Sequence, residues 1–301
     1  MNALLAWLAL LLAAPLVPGI AVKTRALLTG RRGPPLWQPY LDLRKLLGRG
    51  AVYSRTTSWI FRLTPVALVA ATLLATMLLP LDGRRSLVEF SGDMIAFAGM
   101  LGLGRFLLVL GALDTGSSFE GMGASREVTF ASLIEPALLV SLVALSVSAN
   151  RLTLSGILGE GLWSNWPEVA PTILLVAGSV FILMLAECAR VPVDDPATHL
   201  ELTMIHEVAA LDHSGPDLAL IGYASALKLA TFSALLTSLL VPRAEITAWL
   251  AAPILLAGLA TTGVAVGIVE SSTARLRLPK VPLYIASAGA LGFLGLILLL
   301  R

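Results

Sequence analysis

Cysteine is nearly absent from this chain: Cys188 stands alone among 301 residues. A single thiol forms no internal disulfide and cannot hold an iron–sulfur cluster, which takes about four ligands. Histidine is almost as scarce. His199, His206 and His213 recur every seven residues. On one helix that spacing gives a shared face but puts neighbours roughly 10 Å apart, too far to share an ion held at about 2 Å per ligand. It favours hydrogen-bonded or partner-facing histidines over a metal site, so electrons moved nearby travel in other chains. Charge is thin as well. With 13% charged residues, 57% hydrophobic residues and a mean hydropathy of +0.86, the chain is not an ordinary soluble domain. The net charge is only +2 and no basic tract suits nucleic acid. The glycines of DTGSSFEGMGASRE at 114–127 lack the Gly-Lys-Ser/Thr ending of a phosphate-binding loop; an ordered turn that meets another subunit is the better expectation.

What the chain has in abundance is long apolar runs. At roughly 20 residues per span, they give eight candidate membrane helices near 3–22, 63–81, 94–113, 128–149, 169–186, 218–241, 246–269 and 281–300. The fold class is therefore an all-α integral membrane protein, a single polytopic domain over 1–301. Continuous runs exclude a transmembrane barrel, whose strands alternate over about ten residues. The first span does not read as a cleaved signal peptide, because its charges follow it and none precede it. The connections near 23–62, 114–127, 187–217 and 270–280 hold 14 of the 21 Lys/Arg, which places them in the cytoplasm and both termini on the non-cytoplasmic side.

The first of these connections contains LWQPYLDLRKLL, whose Leu36, Trp37, Tyr40, Leu41, Leu43 and Leu47 form a broad apolar stripe opposite Asp42, Arg44, Lys45 and Arg49. That is an amphipathic helix lying in the membrane interface. Two roles stand open: a lipid-facing anchor, or a cavity floor presenting Asp42 and Lys45. Trp163 and Trp166 have the character of interfacial anchors. Gly263 and Gly267, and the glycines at 289, 292 and 295, predict close helix packing.

Two features depart from a bland membrane bundle. Between Ala186 and Asp217 lies a polar island with seven of the nineteen acidic residues, all three histidines and one basic residue, Arg190. Within the spans stand Glu135, followed by Pro136, together with Lys228 and Arg105. A mid-membrane charge costs roughly 2.5–3.5 kcal/mol on insertion scales, and Pro136 frees the carbonyl of Ser132. Glu135 is either a structural, hydrogen-bonded acid or an ion-path group. Glu127 and Glu187 sit at span ends, and Glu201 and Glu207 in the island. With Lys228 these could form a charged path to mid-membrane, the chemistry of proton relays. A pairing of Glu135 with Lys228 is a guess at this stage.

Four ordered motifs then carry a resemblance: GPPLWQPYLDLRKLL at 33–47, GSSFEGMGASRE at 116–127 with Glu135-Pro136 after it, AECARVPVDDPATHLELTMIHE at 186–207, and ESSTARLRLPKVP at 270–282. Over nearly its whole length the chain resembles the heel subunit of respiratory complex I and its relatives in energy-converting membrane-bound hydrogenases, nearest the formate hydrogenlyase subunit 4 group. Val193, Ala197 and His199 stand where complex I subunits typically carry an aromatic and two carboxylates, and Gly222 where relatives often carry a glutamate.

The resemblance implies a coupling subunit of a hydrogenase-type oxidoreductase in a prokaryotic cell membrane. It links a cytoplasmic iron–sulfur and [NiFe] arm to proton or sodium movement and has no cofactor or metal of its own. The iron–sulfur clusters and the NiFe centre would sit in partner subunits, with antiporter-like subunits at the side. Glu127, Glu135, Glu187, Glu201, Glu207, Lys228 and Asp42 would be ion-path groups; Arg190, Asp194 and Asp195 would order the cytoplasmic loop or dock the partner, and Arg126 would dock it. Two alternatives remain: a quinone-binding heel subunit, which needs an amphipathic tunnel near the island, and a stand-alone transporter, which the lack of internal repeats disfavours.

Overall fold

The computed structural model describes residues 3–164, 166–195, 204–242 and 250–300. Its elements are α1 (Ala3–Ala13), α2 (Leu16–Leu28), α3 (Gln38–Leu47), α4 (Trp59–Met77), α5 (Asp93–Asp114), α6 (Ser118–Ala149), α7 (Leu154–Gly156), a π-helical turn (Ile157–Gly161), α8 (Leu162–Ser164), α9 (Trp166–Glu187), α10 (His206–Ala209), α11 (Gly215–Leu240), α12 (Ala251–Ser272), a 3₁₀ turn (Leu278–Lys280) and α13 (Val281–Leu299). No strand occurs among the described residues. Among the described residues seven helices are long and apolar enough to cross a membrane, and α1 and α2 together are long and apolar enough for one more, bent by 44°. The sequence predicts an unbroken first span. The break follows from Pro15, which caps α2 and has no N–H to continue α1.

The connection 29–58, the described residues of 188–214 and the connection 273–280 gather at one end of the bundle, here the basic end. α6 runs through the middle, flanked by α5 on one side and by α9 and α13 on the other. α4 packs outside α5, α11 touches α4, α9, α12 and α3, and α12 lies along α2. Small residues set these distances. A Cβ at Gly267 would come within 2.6 Å of the Ala21 carbonyl, so α12 meets α2 backbone to backbone, as the Gly263/Gly267 pair predicts. Buried hydroxyls also tie helices together: Ser179 Oγ donates to the Ala288 carbonyl at 2.7 Å and pairs with Ser141 Oγ at 2.9 Å. At the start of α4 the Asp114 carboxylate, last residue of α5, accepts from Ser58 N at 2.7 Å and Phe61 N at 3.3 Å. It thereby satisfies donors that a helix N-terminus leaves open.

Two loop expectations are corrected. Residues 118–127 are helical, so α6 has 32 residues and is about 48 Å long, well beyond a hydrocarbon core of about 30 Å. The glycine that suggests a turn serves close approach instead: a Cβ at Gly123 would lie 2.9 Å from Ala209 N and 3.2 Å from the Ile205 carbonyl. The described residues of the 187–217 island are not a free loop either. Val191, Val193, Met204, Ile205, Val208 and Ala209 are buried, and α10 packs on α6 and α5. α3 forms as the stripe predicts; its Tyr40 hydroxyl donates to the Leu12 carbonyl, while Trp37, Leu41 and Leu47 stay exposed. At the other end Trp163 and Trp166 stack on each other at 4.4 Å.

Candidate functional site

Four charged side chains meet inside the bundle. Glu187 Oε2 lies 3.1 Å from Arg105 Nη1, and Glu187 Oε1 lies 3.2 Å from Lys228 Nζ. The other guanidinium nitrogen of Arg105 reaches Glu135 Oε1 at 3.0 Å. The side chains of Arg105, Glu187 and Lys228 are at most 4% exposed, whereas that of Glu135 is 45% exposed. The guess that Glu135 pairs with Lys228 is therefore corrected: Arg105 binds Glu135, and Lys228 belongs to Glu187. Gly102, one turn before Arg105 on α5, makes room for this pair, since a Cβ there would sit 2.8 Å from Glu135 Oε1.

The end of α9 places Glu187. Ala189 adopts φ of 49° and Arg190 N returns to the Leu185 carbonyl at 2.8 Å, which is a Schellman stop with alanine where glycine is usual. The left-handed conformation costs an alanine about 1 kcal/mol. Glu187 meets Arg105 about two and a half turns inside α5, and Lys228 more than three turns inside α11. Hence α9 stops within the bundle, and the described island residues fill the remaining depth up to the basic end.

A second network holds the island in place. Arg25 pairs with Asp195 at 3.1 Å and approaches Glu270 at 4.0 Å; Arg190 reaches Glu270 at 3.4 Å, and Arg275 reaches Asp194 at 2.9 Å. Asp194 also accepts from Ile205 N at 2.9 Å, and Arg126 donates to the Met204 carbonyl at 2.8 Å. Burial pushes the Asp194 carboxyl above its ordinary range, with the Ile205 N–H and Arg275 opposing the shift. Of the two roles expected for Arg190, Asp194 and Asp195, these contacts are those of loop ordering: Asp194 is 2% exposed and faces inward. Glu201 and His199 lie outside the described residues.

Three spaces surround these groups. An amphipathic cavity of about 460 Å³ is lined by Pro18, Cys188, Arg190, His206, Gly222 and Ser225 among others. Glu207, exposed on α10, also lines it. A groove of about 520 Å³ shares Pro18 and Arg190 with that cavity and adds Arg25, Arg31, Asp42 and Glu270. Asp42 thus borders a groove, as one reading expects, but Lys45 does not line it, and Asp42 bonds Gln38 at 2.8 Å within α3. The third space, about 10 Å³, lies between Arg105, Glu127 and Glu187, about one water by volume. A Cβ on Gly222 meets nothing within 4 Å, so nothing in the packing there requires glycine.

His206 and His213 do not share a helix face. His206 Nε2 is 3.1 Å from Ser225 Oγ, and His213 stacks on Phe61 at 3.9 Å. No group of three His, Cys, Asp or Glu side chains suited to a metal occurs among the described residues. Sequence reasoning undervalues several participants. Arg105, legible only as a deep arginine among glycines, is the bridge of the cluster. Glu270 and Arg275 lie in the 270–282 motif, and no local signal gives them a role. Glu120, fully buried, accepts from Asp212 N at 2.9 Å and ties α6 to the segment before α11.

Known proteins share this arrangement of helices and sequence. The chain is 35% identical over 233 residues to hydrogenase-4 component C of Escherichia coli K12, covering 77% of this chain and 72% of that one. It is 31% identical over 301 residues to formate hydrogenlyase subunit 4 of the same organism, covering 97% and 96%. An NADH-quinone oxidoreductase subunit of Paraburkholderia xenovorans is 25% identical over 69% of this chain and 61% of its own length. A chain of an archaeal respiratory membrane complex, the membrane-bound sulfane sulfur reductase, shares the fold with a TM-score of 0.82 at 19% identity, over 99% of this chain and 100% of that one. Residues 1–299 match the NADH dehydrogenase family, and the chain belongs to that family.

Proposed function

We infer that the chain is the membrane-embedded coupling subunit of a hydrogenase-type oxidoreductase complex, in which redox work in a cytoplasmic arm drives proton or sodium movement. The observation that carries this is the chain of charge Glu135–Arg105–Glu187–Lys228, buried from Arg105 onward, backed by Glu127 and bordered by a cavity at the basic end. Carboxylates and cations this deep are expensive in a membrane and belong to ion paths. Relatives named as hydrogenase-4 and formate hydrogenlyase subunits give the kind of complex. On this reading the basic end faces the cytoplasm and receives the iron–sulfur and hydrogenase-like subunits, whose clusters and NiFe centre do the electron transfer. Antiporter-like subunits lie at the flank. Arg126, Arg190, Asp194 and Asp195 shape the docking surface by fixing the loops beneath it.

The test is the native complex reconstituted in sealed vesicles, with redox turnover started and ion movement followed by proton- and sodium-sensitive dyes. Turnover that speeds up with the matching ionophore and moves ions supports coupling. Turnover indifferent to every ionophore, with no ion moved, refutes it.

The amphipathic cavity sustains a second reading, a quinone-binding subunit. It has the size of a small-molecule site and a mainly apolar wall with a few polar groups. A photoreactive quinone that labels Cys188 or His206 of the purified complex, and is competed off by unlabelled quinone, would favour it.

A further inference from the structure

A thin wall separates the open cavity from the buried cluster. Ala189 lines both the 460 Å³ cavity and the small void beside Arg105, Glu127 and Glu187. Ile205 lines the void, and the next residue, His206, lines the cavity. A proton moving between the two spaces therefore passes Ala189 or the 205–206 turn. Most ionisable groups on the cavity side are committed elsewhere: Arg190 to Glu270, and Asp194 to Arg275 and to the Ile205 N–H. His206 differs, because its Nε2 meets a neutral hydroxyl, Ser225 Oγ on α11.

We propose that His206 is the proton-relay residue between the open cavity and the buried Glu187 cluster, an assignment that rests on the coupling function above. An imidazole accepts a proton on one ring nitrogen and gives one up from the other, so net charge returns to zero after each passage. Ser225 holds the ring in place and can turn its hydroxyl to follow either protonation state.

The charges facing the ring come from each packed element: Lys228 on α11, Glu187 and Cys188 at the end of α9, Arg190 and Asp194 beyond it, Glu207 beside it, and Arg105 and Glu127 across the wall. Burial first, then Lys228, lowers the imidazole to about 4, against Asp194 and Glu187. At neutral pH the resting ring is neutral and holds a proton only in passing, as a relay must. Burial pushes the neighbouring Cys188 thiol up to about 12, so it does not compete for the role.

The test uses the intact complex in sealed vesicles. His206→Gln keeps a hydrogen bond to Ser225 but does not titrate, and should lower coupled turnover by on the order of 100-fold while the complex still assembles. His206→Ala opens space beside a cavity large enough for free imidazole. Added imidazole should restore its turnover with a pH profile that follows the added base, and 4-methylpyridine, a base of different strength, should shift that profile. A merely structural histidine would show neither effect. His206→Gln with a wild-type ion-to-electron ratio and pH profile overturns the assignment, as does an assembled His206→Ala complex that imidazole fails to rescue. A wild-type complex that moves no ions overturns the coupling function as well, so the two failures are told apart.

Discussion

Glu187→Gln is the most informative single change, because Glu187 is the counter-ion of two buried cations at once. Arg105 and Lys228 lie 3.1 and 3.2 Å from its two oxygens. At these distances and an effective dielectric near 20, each pair carries about 5 kcal/mol of Coulomb attraction before desolvation is subtracted. Removing one partner of a buried pair costs about 3–5 kcal/mol. The glutamine oxygen can still accept from one cation, so the low end of that range applies. Arg105 keeps Glu135 as a partner, but Lys228 is left with the residue-187 backbone carbonyl at 3.4 Å. The destabilisation therefore falls mainly on the α9–α11 contact.

Adding Lys228→Met should restore neutrality and recover most of the lost stability, since well-packed apolar side chains replace buried ion pairs at little cost. It should not recover ion movement, because the charge path remains cut. The assays are thermal unfolding of the purified complex and redox-driven ion uptake in vesicles. A Glu187→Gln complex that unfolds at the wild-type temperature and pumps normally would refute the reasoning, as would a double variant no more stable than the single one.

Gly102→Ala should push the Glu135 carboxylate off Arg105, because the added methyl would lie 2.8 Å from its oxygen; assembly survives and the ion-to-electron ratio falls as it does in Glu135→Gln, and an unchanged ratio in both would reduce Glu135 to a structural acid. Gly123→Ala forces a methyl to 2.9 Å from Ala209 N and should cost about 1–3 kcal/mol by overpacking, seen as faster proteolysis within 204–214; wild-type protection would refute the packing. Burial holds Asp194 above the ordinary carboxylate range, so its contribution to stability improves as pH falls from neutral toward about 4. Arg275→Gln removes an opposing cation and should therefore be worst at neutral pH and recover toward about pH 4; a deficit independent of pH would count against it. His206 runs the other way: lowered from 6.5 to about 4, it contributes stability above pH 6.5 that is lost as pH falls toward 4, by up to about 3 kcal/mol. Unfolding of His206→Gln across that window should lack this slope relative to wild type, and matching slopes would place the ring in solvent.

The helical architecture is legible because hydropathy and length act locally. A run of about 20 apolar residues has to satisfy its own backbone in lipid, so α4, α5, α9, α11 and α13 stand within a few residues of their expected bounds. Where the expectation fails, polarity is the cause. Ser118–Arg126 carries charge and two glycines, and reads as a turn. It is helical because α10 supplies a packing surface that only a glycine at 123 allows, and no window of sequence contains that partner. The break at Pro15 is marked in the sequence, yet a proline in a membrane span is compatible with a continuous helix, so composition alone does not decide it.

The site is legible as a set of unusual residues and illegible as a set of pairs. Glu135, Glu187 and Lys228 each stand out because charge is out of place in an apolar run, and that argument needs one residue at a time. Pairing depends on the depth of each side chain in the bundle. By hydropathy Glu187 ends a span at the surface, and the acidic island after it reads as a loop, because seven carboxylates in 32 residues look solvated. The reversal comes from charges distant in sequence: Arg25 with Asp195, Glu270 with Arg190, and Arg275 with Asp194 draw the described island residues inward. Once these residues are internal, α9 must stop short, and Glu187 comes to the depth of Arg105 and Lys228. The position of the central carboxylate is thus set by Arg25 at the end of α2 and Arg275 after α12, neither of which touches it.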